Sequence, residues 1–436
     1  MREPRHTTIT PSAARLTESL RDIGYDFPSA VADLVDNSVT AGATRIEIVI
    51  EYAGADSLIM IADDGCGMTA NGVNEALRFG SWRPYGAGDL GRYGLGLKTA
   101  SLSQARSLTV LSRGGLRRVT TRQLSLDTIL EFDEWLVIEP VPSAVYDRAK
   151  EMLGQGTGTV VIWEKLDRVF QEQKPEGGWA RRRIEKLAER ASEHLALVFH
   201  RFLEGEVVPK VEIIVNGEKL RPWNPFAESE PATKRLPRQR FELTVGDKTG
   251  TVTLDRYVLP PKNAFSCQSE FERMSGPRKW NRQQGLYIYR ADRLVQWGGW
   301  AGLRGIDEHL KLARVAMDFS TDLDAAFNIN VAKMRVAIPT QLRQMLERPI
   351  HEVCLRADDA YRRAAGSRTT DKAPVKSPAT ADGGVTLLAL RAAAMAVGES
   401  EALRRILGEL PKLSPDIASA LGLQVPAPGG VDESVA

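Results

Sequence analysis

Apolar positions along the first hundred residues change period twice. Ala30, Leu34 and Val35 recur at helical spacing from Pro28 onward and predict a helix that carries Asp33 and Asn37, four apart, on one face. Leu58-Ile59-Met60-Ile61 is a short continuous apolar run and predicts a strand that ends at Asp63, just before Gly65 and Gly67. From about Leu97 to Gln104 the period is again that of an amphipathic helix, entered from the glycine-rich run Gly91-Arg92-Tyr93-Gly94-Leu95-Gly96-Leu97-Lys98. Helices and strands alternate to about residue 165, which predicts a mixed, largely antiparallel sheet with helices on one face.

Further along, Trp179 to about Leu203 reads as one long helix, and Val211 to Val215 as a strand ending in the turn Asn216-Gly217. Phe241 to Val258 reads as a hairpin around Gly246-Asp247. A helix from Pro339 to about Ala365 carries the apolar stripe Leu342, Met345, Leu346 and Ile350, expected to pack as core. Residues 366–384 are Ser, Thr, Ala, Pro, Lys and Gly with almost nothing large and apolar, the composition of a flexible linker. Helical patterning returns from Val385 to about Leu423, broken at Gly398 and near Pro411 and Pro415. The expected order is a first domain over 1–170, an α+β domain over 171–365, the linker, and a small helical region over 385–436. About forty residues hold too little core to stand alone, so this last region is expected to dock on another surface or on a partner protein.

Composition sets the frame. With 436 residues, 43% hydrophobic and 26% charged, the chain builds two ordinary domains and a small extra element. The N-terminal residues lack the apolar core of a signal sequence, and no apolar run approaches the length of a membrane span, so a cytoplasmic protein without membrane contact is expected. Cys66, Cys267 and Cys354 are far apart and without metal-ligand spacing. The net charge is only +2, but residues 231–311 hold 15 Lys and Arg against 8 Asp and Glu. Such an excess is either a solvated basic face or a guide for a polyanion. Within it, Arg278-Lys279-Trp280-Asn281-Arg282 sets an aromatic among cations, suited to stacking on a base or to a loop tip.

The chemistry concentrates early. Asp33 and Asn37 aim an acid and an amide at one place, Asp63 puts a carboxylate at a strand end, and the glycine-rich run offers backbone amides and a helix N-terminus suited to phosphate. Two common phosphate motifs fail on inspection. Gly91 and Gly96 have Walker A spacing, but Leu97 separates them from Lys98-Thr99. Gly65-Cys66-Gly67-Met68-Thr69-Ala70 fits a loose dinucleotide fingerprint, yet no acidic strand end follows about twenty residues on.

Asp33-Leu34-Val35-Asp36-Asn37, Asp63-Asp64-Gly65-Cys66-Gly67-Met68 and Gly91 to Lys98, taken together, resemble the ATP-binding domain shared by gyrase B, the ninety-kilodalton heat-shock chaperones, sensor histidine kinases and MutL, the GHKL ATPases. Within that superfamily the run looks most like the microrchidia (MORC) group and its bacterial relatives. Gly158-Thr159-Val160-Val161-Ile162-Trp163 resembles the closing Gly-Thr strand, and Gly285-Leu286-Tyr287-Ile288-Tyr289-Arg290 a strand of the second domain, so the likeness covers roughly residues 12 to 360.

The resemblance implies an α+β chain: a Bergerat-type α/β sandwich ATPase domain, an α+β transducer domain and a small helical appendage. It implies ATP and Mg2+ as ligands. Asp63 then accepts the adenine amino group, Gly65 and Gly67 let the purine lie against backbone, Met68 is an apolar wall, and Thr159 either reaches the adenine pocket through water or is simply a strand-end threonine. Asn37 ligates magnesium, with Ala41 beside the nucleotide. Asp33 stands where relatives usually carry glutamate and is the implied base, one methylene shorter by about 1.5 Å. Thr40 replaces a frequent aspartate. Gly94, Leu95, Gly96, Leu97 and Thr99 cradle phosphate, Lys98 neutralises it, and Phe79 to Leu90 is the mobile lid. Lys333 matches a transducer lysine that bonds the γ-phosphate. The implied activity is a slow ATPase with ATP-dependent homodimerisation and, by analogy of fold, DNA as client within bacterial defence or restriction. The alternatives are a protein chaperone and an ATP-binding switch that scarcely hydrolyses. Histidine-kinase activity is not expected, because no phosphoacceptor helix precedes the site.

Overall fold

The computed structural model describes residues 9–22, 24–80, 94–115, 118–170, 174–246, 248–328, 336–370, 383–396, 398–414, 417–418, 421 and 423. The chain forms two compact units, Met1–Ala364 and Ala365–Ala436.

In the first unit the opening elements are helices α1 (Ala13–Arg21) and α2 (Phe27–Thr40), strands β1 (Arg45–Glu51) and β2 (Leu58–Asp63), and helices α3 (Ala70–Leu77) and α4 (Gly96–Leu102). Strands β3 (Ser107–Arg113) and β4 (Thr120–Ser125), helix α5 (Leu126–Phe132), strand β5 (Val137–Ile138), helix α6 (Ala144–Leu153) and strand β6 (Gly158–Glu164) follow. Then come helices α7 (Gly178–Val198) and α8 (His200–Glu204) and strands β7 (Glu212–Val215) and β8 (Glu218–Lys219). The eight strands form one sheet in the order β5-β4-β3-β6-β2-β1-β7-β8. Every pairing in it is antiparallel except β1 with β7.

The period-two pattern of β1 buries Ile46, Ile48 and Ile50 against Leu34 and Val35 of α2 and Ile184 and Leu195 of α7. Two points of the sequence reading change here. Helices cover both faces of the sheet rather than one: Leu58, Met60, Val160 and Ile162 point away from α2 and pack under Tyr146, Ala149 and Leu153 of α6. The helix α7 and the strand β7, both beyond residue 170, belong to the first sheet's core and hydrogen-bonding ladder, because β1 otherwise ends the sheet with an unpaired edge.

The second sheet has five strands, β9 (Lys234–Val245), β10 (Lys248–Val258), β11 (Gly285–Arg290), β12 (Arg293–Trp297) and β13 (Ala313–Phe319), in the order β12-β11-β13-β10-β9. Helices α9 (Gln268–Met274) and α10 (Lys279–Gln283) lie between β10 and β11, and α11 (Thr340–Thr370) follows β13. The β9–β10 hairpin turns where expected but starts at Lys234, seven residues earlier than the apolar pattern suggests, since β9 is largely exposed and so lacks apolar alternation. Leu342, Leu346 and Ile350 of α11 are buried with Leu254, Tyr287 and Met317, and Met345 packs at the margin.

In the second unit, helices α12 (Gly383–Ala396) and α13 (Ser400–Leu413) flank Gly398, whose φ of 78° suits only a glycine at this break. Pro411 lies inside α13 rather than ending it. Most of the segment read as a linker, residues 371–382, lies outside the described residues. Together these elements give an α+β fold with a large mixed sheet and a further α/β sheet.

Candidate nucleotide site

Helix α2 is set by local chemistry: the Asp26 carboxylate caps it by accepting the Ser29 amide, and Pro28 sits in its first turn, where no amide is needed. The result brings three sequence-distant segments onto one helix. Asp33 is buried and its Oδ2 accepts the Tyr25 hydroxyl at 2.8 Å. Burial, reinforced by the Asp33 charge, raises the Tyr25 hydroxyl far above the usual phenol range, so it stays a donor. A Cβ at Gly96 would stand 2.9 Å from Asp33 Oδ2, so a glycine lets the first turn of α4 approach this carboxylate. Asn37, one turn on, is exposed. Thr40 turns its hydroxyl back to the Asp36 carbonyl at 2.8 Å.

Ser38 reaches the second segment. Its hydroxyl donates to Asp63 Oδ2 at 2.9 Å, while Asp63 Oδ1 accepts the Gly65 amide at 3.0 Å. Burial raises the Asp63 carboxyl above its ordinary value, and the bonds from Gly65 and Ser38 oppose this. Strand register places Thr159 directly beside Asp63, and Ser112 beside Thr159 on the next strand. The hydroxyls of Ser112 and Thr159 are 2.9 Å apart, and Ser112 Oγ also accepts the Met68 amide at 2.8 Å.

Two glycines have a reason other than the expected one. Gly67 has φ of 64°, and a Cβ there would fall 1.9 Å from the Arg113 carbonyl oxygen; at Gly65 it would fall 2.8 Å from Cβ of Ala41. Neighbouring chain, not a ligand, already demands glycine at both positions. Ala41 closes α2, and its carbonyl accepts the Cys66 amide at 3.0 Å.

In the third segment Gly94 has φ of 62°, Leu95 precedes α4, Leu97 is half-buried, and the Thr99 hydroxyl donates to the Leu95 carbonyl at 3.0 Å. Lys98 departs from the expectation of a phosphate-facing cation. Its side chain is buried, and its ammonium donates to the carbonyls of Gly94 and of Ala76, the latter at 3.0 Å. Burial pulls its pKa down to about 8. Residues 81–93, which include most of the expected lid and the first three residues of the glycine-rich run, and Lys333 lie outside the described residues.

Residues 25–159, which hold all three segments, match the family model of the histidine kinase-, DNA gyrase B- and HSP90-like ATPases. The match supports the resemblance of this region to the GHKL ATPases. Relatives extend the likeness further along the chain. The DNA mismatch repair protein MutL of Citrobacter koseri is 26% identical over 255 residues, 56% of this chain and 37% of that protein. MutL of Paramagnetospirillum magneticum is 54% identical over 41 residues, 9% of this chain and 7% of that one, and MutL of Rickettsia akari is 56% identical over 41 residues, again 9% and 7%. The chain thus spans well under half the length of the curated relatives it matches.

Beyond the matched region, several basic residues of 231–311 are paired within the fold, three of them with acids from outside that segment. Arg235 and Arg238 converge on Asp255, Arg256 meets Glu352, Arg273 meets Glu270, Arg290 meets Asp324 and Arg293 meets Asp36. Trp280 stacks on Phe271, with ring centroids 4.6 Å apart and planes 20° from parallel, rather than standing ready for a base. No helix among the described residues is long and apolar enough to cross a membrane.

Sequence reasoning missed Tyr25, Ser38, Ser112 and the Asp36–Arg293 pair. Ser38 had a signal: it directly follows the motif that ends at Asn37 and lies four residues from Leu34, on the face turned to the sheet. Ser112 and Arg293 gave none, because their partners are 44 and 257 positions away.

Proposed function

We propose that this chain is a magnesium-dependent ATPase whose nucleotide state drives a conformational change and homodimerisation in a DNA-related process. The observation that carries this reading is the convergence on α2: Ser38 bonded to Asp63, Asp33 against Gly96, and Thr159 in register with Asp63. In this reading Asp63 accepts the adenine amino group beside Thr159 and Met68, Asn37 ligates the metal through its exposed amide oxygen, and Asp33 orients and deprotonates the attacking water. The stretch from Gly94 to Thr99 holds phosphate, and Lys333 reports the γ-phosphate. Magnesium suits this site because it keeps few protein ligands and takes the rest from triphosphate and water. The DNA-related role rests on the likeness to the mismatch repair protein MutL, and the dimer on the resemblance of the motifs to the GHKL ATPases. The MORC-like ascription rests on the motifs, and a role in antiviral defence or restriction on analogy of fold alone.

One observation favours a second reading, the switch with very slow hydrolysis. Asp33 is shorter than the usual glutamate, and one of its oxygens is already engaged by Tyr25. A base misplaced by about 1 Å loses on the order of a hundredfold in rate. A salt-dependent DNA titration with and without a non-hydrolysable ATP analogue, run beside steady-state ATP turnover, tests both. Analogue-dependent DNA binding with measurable turnover supports the DNA-linked ATPase. Analogue-dependent binding without turnover supports the switch, and binding of unfolded protein in place of DNA would turn the reading to a chaperone.

A further inference from the structure

Helix α2 carries, inside the first motif, a buried acid to which the nucleotide reading gives no role. Asp36 lies between Asp33 and Asn37, and its Oδ1 accepts the Nε–H of Arg293 at 2.8 Å. The two side chains are 0% and 4% exposed. Arg293 opens strand β12, so this ion pair ties the helix of the nucleotide site to the second sheet. A buried ion pair is a weak source of stability, since the cost of desolvating both charges offsets their attraction; it does fix a geometry.

The geometry it fixes is informative. Arg293 belongs to the β11–β12 hairpin, whose other side chains hold the second domain: Arg290 bonds both oxygens of Asp324, at 2.8 and 2.7 Å, and Gln296 Oε1 accepts the Val336 amide at 3.1 Å. The same hairpin touches α7 where the Trp297 ring meets His194, 5.3 Å between centroids. Side-chain atoms on a helix lie about 5 to 6 Å from its axis, so a rotation of only about 10° carries them through about 1 Å. A displacement of that size changes rate strongly, whereas Asp63, carried by a strand and also held by the Gly65 amide, is coupled to the helix only through Ser38, so adenine binding changes less.

We propose that Arg293 is a positioning residue: through Asp36 it sets the rotation of α2, and with it Asp33 and Asn37, so that the second sheet governs how competent the first domain is to hydrolyse ATP. This rests on the ATPase reading above. The test uses the full chain and compares the parent with Arg293→Gln, Arg293→Lys and the double variant Asp36→Asn/Arg293→Gln, reading kcat and KM for ATP and the ADP affinity by calorimetry. Arg293→Gln is expected to lower kcat at least tenfold with KM and ADP affinity within threefold, and Arg293→Lys, which keeps a cation facing Asp36, to recover most of the loss. Unchanged kcat in Arg293→Gln overturns the proposal. So does a parallel loss of kcat and ADP affinity that lysine does not restore, which marks a mere staple between domains. If the single variant does not fold, the double variant, which leaves no lone buried charge, is read by the same two criteria. A parent that binds no ADP overturns the ATPase reading and this inference with it, whereas a parent with normal turnover beside an indifferent variant overturns this inference alone.

Discussion

Asp63→Asn alters the chemistry of one group at constant size, and the structure says how fold and ligand share the effect. A carboxylate offers roughly four lone-pair directions. The Gly65 amide takes one at 3.0 Å and the Ser38 hydroxyl another at 2.9 Å. About two remain, one of them for an incoming amino group. In the asparagine variant the single oxygen stays with Gly65, because that amide only donates. The new NH2 then faces Ser38, whose hydroxyl turns to accept it and donates to its other neighbour, the Leu34 carbonyl at 3.3 Å. The fold exchanges a charge-assisted bond for a neutral one and is relieved of a buried charge, so stability should change by no more than about 1 kcal/mol. The ligand has no such escape. An amide donor opposes the adenine amino donor, at a cost of roughly 2 to 4 kcal/mol, or about 30- to 1,000-fold in affinity. Calorimetry with ATP and ADP, run beside thermal melts of parent and variant, reads the two effects separately. Unchanged nucleotide affinity refutes the role of Asp63. A variant that loses several kcal/mol of stability refutes the reasoning about Ser38.

Other outcomes follow from the same geometry. Asp33→Ala should retain ATP and lose turnover while Asn37→Ala also loses magnesium-dependent binding; parental turnover in Asp33→Ala would remove it as the base. Lys333→Ala should leave ADP affinity intact and abolish analogue-specific dimerisation in sedimentation, a bias of about 1 to 3 kcal/mol. Gly67→Ala should destabilise by more than about 2 kcal/mol without any nucleotide present, since its Cβ meets the Arg113 carbonyl at 1.9 Å and its φ is positive; a melt within a degree of the parent would contradict this. For Lys98, whose pKa falls to about 8 in the fold, the unfolded chain binds the extra proton between pH 8 and about 10.4, so its contribution to stability rises with pH across that window and is flat below it. Lys98→Met should flatten this rise in urea titrations at pH 8 and pH 10.

What the sequence made legible was local. The period of α2 and the strand that ends at Asp63 depend on neighbours within a few residues, and each stands where it was read. An amphipathic pattern reports that α6 has a buried face but not which side of the sheet it covers. Gly67 was recognisable as a necessary glycine, whereas the Arg113 carbonyl that makes it necessary comes from a different strand. Lys98 looked like a phosphate ligand because sequence shows its place after a glycine run; only the fold shows the Ala76 carbonyl that holds its ammonium. Asp36 read as one more acid in a motif, and its partner comes from the second sheet.

The pairing of β7 with β1 has a consequence for how the chain comes into being. Glu212 lies parallel to Arg45 from 167 positions downstream, and the Asn216 side chain clasps both the amide and the carbonyl of Ile50, at 2.7 and 3.2 Å. A chain emerging from the ribosome has made every residue of the three motifs before residue 100, yet it cannot close the edge of the sheet beneath them until after residue 216. For all that interval β1 offers its outer ladder to whatever strand arrives first, the exposure that invites mispairing and holdase capture. Synthesis order therefore sets a minimum length for an autonomous first-domain fragment: one cut at residue 170 carries the motif residues with β1 as an unpaired edge, and one cut after Lys219 carries β1 paired on both sides, with the short β8 at the edge instead.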